Sequence, residues 1–298
     1  MSGRAWVLFL AVAVLWGIPY LFIKVAVDEV PPFAIVFARA VIGAAVLMPA
    51  ALLMRAMNGV RERIGWVLLF AVVDFVIPFV LITYGEKEIS SSLAGVLVAS
   101  VPLLIALLAL RFDANERVGG RRLGGLVVGA AGVVLLLGVD VSGDASELAG
   151  AAMVLAASLS YASAGLLYKN KLGDLRAVGV IGAALAISGA LLAVPAWLAG
   201  TGGTPSFDAA GSIVVLGTLC TGAAFLCFYA LLGEVGAGRA AVVTYVAPIV
   251  AVAAGVTVLG ESVTAGMIAG MVLILGGSWV ATGNTERPRQ DSNLRPAA

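Results

Sequence analysis

Histidine is absent from this 298-residue chain, and its only two cysteines are Cys220 and Cys227. That removes histidine acid–base chemistry, histidine metal sites and Cys–His nucleophiles, so neither a metal nor a cofactor is expected. The cysteines lie seven residues apart in one apolar run, ~10 Å along a helix, too far for a disulfide. Packing is their expected role. The chemistry that remains centres on two charges embedded in apolar surroundings, Arg39 and Asp74. In a lipid-embedded helix an ionised carboxylate costs about 2.5–3.5 kcal/mol on insertion scales, so it must face protein or a water-filled cavity. Asp74 therefore has two readings. It binds a coupling proton or a substrate amine, or it pairs structurally with Arg39. At 1.5 Å per residue, Arg39 lies ~12 Å and Asp74 ~16 Å from the same membrane face, a gap an arginine side chain spans.

Other residues suit a pathway. Trp16, Tyr20, Tyr161, Phe225 and Tyr245 lie within apolar runs and are candidates to line a cavity, whereas Tyr84 and Tyr229 sit at run ends and read as interfacial anchors. Pro19, Pro78, Pro102 and Pro248 each free a backbone carbonyl, which in lipid needs a new partner or a wet cavity. Pro102 and Pro248 point most directly at a central cavity. Gly236-Ala237-Gly238-Arg239 imitates a dinucleotide-binding turn, but it follows an apolar run with no βαβ unit around it. No Gly-x-x-x-x-Gly-Lys-Ser/Thr loop occurs, so ATP is not the expected energy source.

These residues need spans to hold them. The chain is 61% hydrophobic and 12% charged, against roughly 45–50% and 25% in soluble domains. Ten segments reach the ~20 apolar residues a membrane helix needs. They fall near 5–26, 31–54, 65–85, 91–110, 123–139, 148–168, 177–199, 211–233, 239–259 and 264–282. The first begins like a signal peptide but runs to Lys24 with no small-residue cleavage site, so an uncleaved span is expected. Small-xxx-small pairs at Gly125/Gly129 and Gly266/Gly270 read as helix contacts.

Charge orients the spans. Of 18 Lys and Arg residues, 15 fall at the termini or in even-numbered connections, and the odd connections carry Asp28, Glu29, Glu86, Glu88, Asp140, Asp144, Glu147 and Asp208. Lys and Arg are retained in the cytoplasm. Ten spans with both termini cytoplasmic, in a cell (plasma) membrane, follow as the expectation. A net charge of +1 gives no field for a nucleic-acid partner. The expected partners are the bilayer, a small-molecule substrate and a coupling proton.

The chain also repeats at an offset of 145: Lys24/Lys169, Trp16/Tyr161, Tyr84/Tyr229, Glu116/Glu261, Gly125/Gly270 and Gly132/Gly277, with Pro102/Pro248 slipped by one. Five spans per half invert the second copy relative to the first. Inverted repeats build a midplane site and two related conformations, each open to one side.

Trp16-Gly17-Ile18-Pro19-Tyr20 with Lys24, then Tyr229-Ala230-Leu231, the joint Gly236–Gly238, Tyr245-Val246-Ala247-Pro248, Leu259-Gly260-Glu261 and a glycine-spaced last span resemble the EamA-type transporters of the drug/metabolite transporter superfamily. The resemblance covers 5–283. It departs at Asp113-Ala114-Asn115-Glu116, where Leu-Gly-Glu is usual, and at Asp74. It implies export of amino acids, related metabolites or toxic compounds, with the last span of each half peripheral.

The expectation is thus an all-α membrane protein of ten transmembrane helices in two inverted five-helix repeats, 1–139 and 147–283, with a polar tail at 284–298. It would be a secondary exporter of amino acids or related metabolites. A multidrug efflux pump is the alternative, although its usual deep acid in the first span is missing. A membrane-embedded enzyme is the distant alternative, since only one acid lies deep and no catalytic pair exists.

Overall fold

The computed structural model describes residues 1–112, 120–139 and 144–282. The Asp113–Glu116 segment, Asp140 and the tail from Asn284 lie outside the described residues. Among those described, every regular element is helical, and ten helices are long and apolar enough to cross a membrane. Spans 1–5 are Gly3–Val27, Pro32–Leu53, Ile64–Glu88, Ser91–Leu110 and Gly120–Gly138. Spans 6–10 are Ala145–Lys171, Ala177–Ala199, Phe207–Val235, Gly238–Leu259 and Ala265–Thr282.

Local chemistry explains the ends. Ser2, Ser90, Asp144 and Ser206 cap span starts by accepting from backbone N–H groups, which satisfies donors left orphaned at a helix N-terminus. Gly260 closes span 9 at φ 67°, a left-handed conformation that favours glycine.

Side-chain contacts sort the connections into two ends. At the acid-rich end, the Glu29 carboxylate accepts from the Ser206 N–H and hydroxyl, both at 2.7 Å. At the arginine-rich end, Arg63 donates to Asp174 at 2.5 and 2.7 Å. The main core, built on Leu47, Phe75, Leu172, Ile181 and Leu185, binds spans 2, 3, 6 and 7.

Spans 5 and 10 pair along glycines outside that core. A Cβ on Gly277 would lie 2.4 Å from the Gly129 nitrogen, and one on Gly132 2.8 Å from the Gly270 carbonyl oxygen. Without a hydrophobic force between helices in lipid, such close backbone approach supplies the attraction.

Several spans are broken. Span 1 breaks at Ile18 before Pro19, and span 4 at Ala99–Ser100 before Pro102. Span 3 carries a π-helical turn, Val72–Val76, before Pro78, and span 8 a π turn at Thr218–Ala223 with no proline. Pro248 corrects one expectation. It lies inside the uninterrupted helix Val243–Leu259, and span 9 breaks earlier, at Val242.

Gly277→Val inserts a branched side chain where backbone already meets backbone. Overpacking of this kind costs about 1–3 kcal/mol. The purified variant should melt several degrees below wild type, while Gly276→Ala, with open space around it, should not. Equal melting temperatures for wild type and Gly277→Val would remove the glycine seam from the account.

Candidate functional site

Pro78 has no N–H. In the π register of span 3, where residue i donates to i−5, that leaves the Val73 carbonyl without its partner. Ser160 of span 6 donates to it at 2.6 Å. Ser188 of span 7 reaches the neighbouring Ala71 carbonyl at 3.3 Å. Asp74 sits inside this turn. In span 8, the Thr221 hydroxyl bonds the Leu216 carbonyl five residues back at 2.8 Å and accepts from Arg39 Nε at 3.0 Å.

Arg39 is therefore held twice. Thr221 takes its Nε, and its guanidinium carbon lies 3.7 Å from the centroid of the Phe79 ring. It is only 8% exposed. Cation–π contact of this kind is worth about 2 kcal/mol or more when water is excluded.

A cavity of about 290 Å³ lies against these groups. Span 1 contributes Trp16, Pro19 and Tyr20, span 2 Arg39, and span 3 Asp74, Phe75 and Phe79. Span 4 contributes Ala99 and Pro102, span 6 Tyr161, span 8 Cys220 and Phe225, and span 9 Thr244 and Pro248. Eight of the nine residues expected along a pathway are thus brought to one space. The aromatic wall is continuous: Trp16 meets Phe225 at 5.8 Å, Phe225 meets Phe75 at 5.9 Å, and Phe75 meets Phe79 at 5.6 Å.

Three expectations are corrected. Tyr245 does not reach the cavity. The helix restarts at Val243 after the break, so Thr244 faces inward, and Tyr245, about 100° further round, approaches Thr282 of span 10 with 3.1 Å between the hydroxyls. Arg39 and Asp74 share the cavity but form no ion pair within 4.0 Å, because Thr221 and Phe79 draw the guanidinium aside. Tyr229 is no interfacial anchor: it is half-buried and stacked 6.2 Å from Phe225. Both cysteines pack as expected: Cys220, 1% exposed, belongs to a core cluster at the cavity wall, and Cys227 packs against another cluster.

Sequence reasoning missed Glu86. Read as part of a polar connection, it is fully buried, because span 3 continues through Glu88. The signal was its place seven residues beyond Phe79 and four beyond Ile82 on one helix face, both of which line the cavity. At this acid-rich end spans 4 and 9 meet. Glu261 accepts from Ser91 N–H, Ser92 N–H and the Ser92 hydroxyl at 2.8, 2.9 and 2.5 Å, capping the first turn of span 4. A Cβ on Gly95 would sit 2.4 Å from that of Ala251. Past its break, span 4 packs chiefly on spans 6 and 10 instead.

A bundle of ten apolar helices around a cavity lined by Arg39 and Asp74 suits a membrane transporter of small molecules. The EamA-like transporter family matches residues 3–138 and again 148–283, and the chain belongs to that family. The second match begins 145 residues after the first. A probable amino-acid metabolite efflux pump of Escherichia coli (strain K12) is 27% identical over 293 residues, covering 94% of this chain and 95% of that one. An uncharacterized transporter of Bacillus subtilis (strain 168), YoaV, is 24% identical over 92% of this chain and 94% of its own length. A solved crystal structure superimposes with a TM-score of 0.68 at 23% identity over 97% of this chain and 100% of its own, a likeness of fold.

Ser160→Ala would strand the Val73 carbonyl in a buried site, a loss of about 1–3 kcal/mol. The variant should melt below wild type, and Ser160→Thr, which keeps a hydroxyl, should recover most of the difference. A Ser160→Ala protein as stable as wild type would mean that water or a register shift satisfies the carbonyl.

Proposed function

We propose that this transporter is a secondary exporter of amino acids or related small metabolites, working by alternating access in the plasma membrane with both termini cytoplasmic. The observation that carries the substrate class is the pairing of an unneutralised guanidinium and a separate carboxylate in one aromatic-walled cavity. A zwitterion offers a carboxylate to Arg39 and an ammonium to Asp74, and an apolar side chain fits against Phe75, Phe225 and Trp16. The name of the Escherichia coli relative, a probable amino-acid metabolite efflux pump, agrees. The two halves, 1–139 and 147–283, act as inverted repeats. The 145-residue offset of the family match and the π turns in the third span of each half support that reading. With the arginine-rich end in the cytoplasm, the contact of spans 4 and 9 at the acid-rich end supports an inward-facing reading.

Efflux of lipophilic cations is the second reading, and Asp74 alone would serve it. The two separate under substitution. If zwitterions are carried, Asp74→Asn and Arg39→Gln should each lower export about tenfold or more at equal protein, the scale of a lost hydrogen bond to a charged group. The double variant should not recover, because no ion pair joins the two. Cation efflux would instead survive Arg39→Gln. The measurement is export from reconstituted vesicles, after profiling of medium from deleted and overexpressing cells.

Orientation has its own check. A cysteine replacing Ala145, in a background without Cys220 and Cys227, should react with an impermeant thiol reagent added to intact cells. One replacing Glu62 should react only after lysis. The opposite pattern would invert the assignment.

A further inference from the structure

Glu86 is 0% exposed, and neither carboxyl oxygen has a hydrogen-bond partner. It sits one turn beyond Ile82, which lines the cavity, so it lies behind the closed acid-rich end. The nearest cation does not serve it. Lys24 Nζ donates to the backbone carbonyls of Glu86 and Ile89 at 2.7 and 3.0 Å, and no ion pair within 4.0 Å joins Lys24 to Glu86. The charged groups acting on it from other elements are Lys24, Glu261 and Arg39, and Tyr20 is a further titratable neighbour. Span 6 packs along the same helix with Gly150 and Val154, which carry no charge.

An ionised carboxylate without a donor, removed from water, is far costlier than the neutral acid. Glu261, a few residues away in space, has the opposite setting. Burial raises its carboxyl, yet donors from Ser92 and Ser91 outweigh that and hold it below the usual carboxylate range. Glu261 is thus provided with donors, and Glu86 is not.

We infer that Glu86 is a proton-binding site, and that its occupation by a proton taken from water at the acid-rich end is what allows spans 4 and 9 to close there. Closing forms one O–H bond on the Glu86 carboxyl, and opening returns that proton to the same side. By linkage, the closed state gains on the open one as pH falls. The Glu261 latch has the opposite sign: its lowered carboxyl keeps the latch above that range and releases it as pH falls through it. The inference rests on the alternating-access reading for the existence of an open state.

The test uses the full chain in lipid nanodiscs, with spin labels on cysteines replacing Lys87 and Val258, both exposed, in a background lacking Cys220 and Cys227. Wild type should shift from a short to a long distance as pH rises, by up to about tenfold per pH unit for one released proton. Glu86→Gln, a permanently neutral isostere, should stay short at every pH above the acidic range in which the Glu261 latch releases, and Glu86→Asp should restore the titration. Infrared spectra should show a protonated-carboxyl band in wild type that Glu86→Gln removes. An unchanged infrared spectrum in Glu86→Gln would overturn the inference. So would a Glu86→Gln protein that stays open at all pH values, the result if an ionised Glu86 serves Lys24. A pH-independent short distance in wild type and in Glu261→Gln alike would overturn it and count against alternating access as well.

Discussion

Lipid offers no hydrogen bonds to a backbone, so every peptide group in a spanning segment must be satisfied within the protein. Regular helices meet that demand by themselves, and they leave no room for a cavity. In the π turns of spans 3 and 8 the demand is met by side-chain hydroxyls. Ser160 on the Val73 carbonyl and Ser188 on the Ala71 carbonyl hold the π turn that carries Asp74. Thr221 does the same inside its own π turn and in addition fixes Arg39. The hydroxyls that repair the backbone are thus the groups that position the site.

Arg39 shows why the cavity is both polar and apolar. A buried guanidinium needs donors satisfied and a weakly hydrated face covered, and it tolerates an aromatic ring better than an ammonium would. Thr221 and Phe79 supply both while leaving the far side of the group on the cavity. Asp74 stands across it without pairing. Two groups of opposite sign kept apart at one site form a dipole that neither neutralises internally, and the proposed zwitterionic substrate would complete it. The glycine contacts at the acid-rich end, with Glu261 capping span 4, hold spans 4 and 9 together there.

The number and placement of spans were legible because span length is a one-dimensional property of apolar residues. Their true ends were less so: span 3 runs through Glu88, beyond the expected 85, since its polar last turn stays helical with Glu86 buried. Trp16, Tyr161 and Phe225 could be assigned toward the cavity from their depth, and Pro102 and Pro248 from their equivalent places in the two halves. Tyr245 could not be separated from Thr244, because the break at Val242 that sets their facing leaves no proline mark. Ser160, Ser188 and Thr221 were invisible as site residues, because each acts on a backbone far away in sequence. Glu86 was concealed by its neighbours Lys87 and Glu88, whose charge reads as solvent contact. The glycine seam of spans 5 and 10 was readable in part. Gly125, Gly129 and Gly270 take part in it, together with Gly132 and Gly277, which had been noticed only as a repeat.

The central claim is that one cavity, opening alternately, carries a zwitterionic metabolite. Counterflow tests it most directly. Vesicles containing the purified protein are loaded with an unlabelled amino-acid mixture, diluted into buffer with a trace of labelled amino acids, and followed by uptake of label without any ion gradient. The account predicts a transient accumulation of at least one labelled amino acid above its equilibrium level, abolished in Arg39→Gln. Uptake no greater than in protein-free vesicles for every amino acid, or a flux that never saturates and never overshoots, would contradict it.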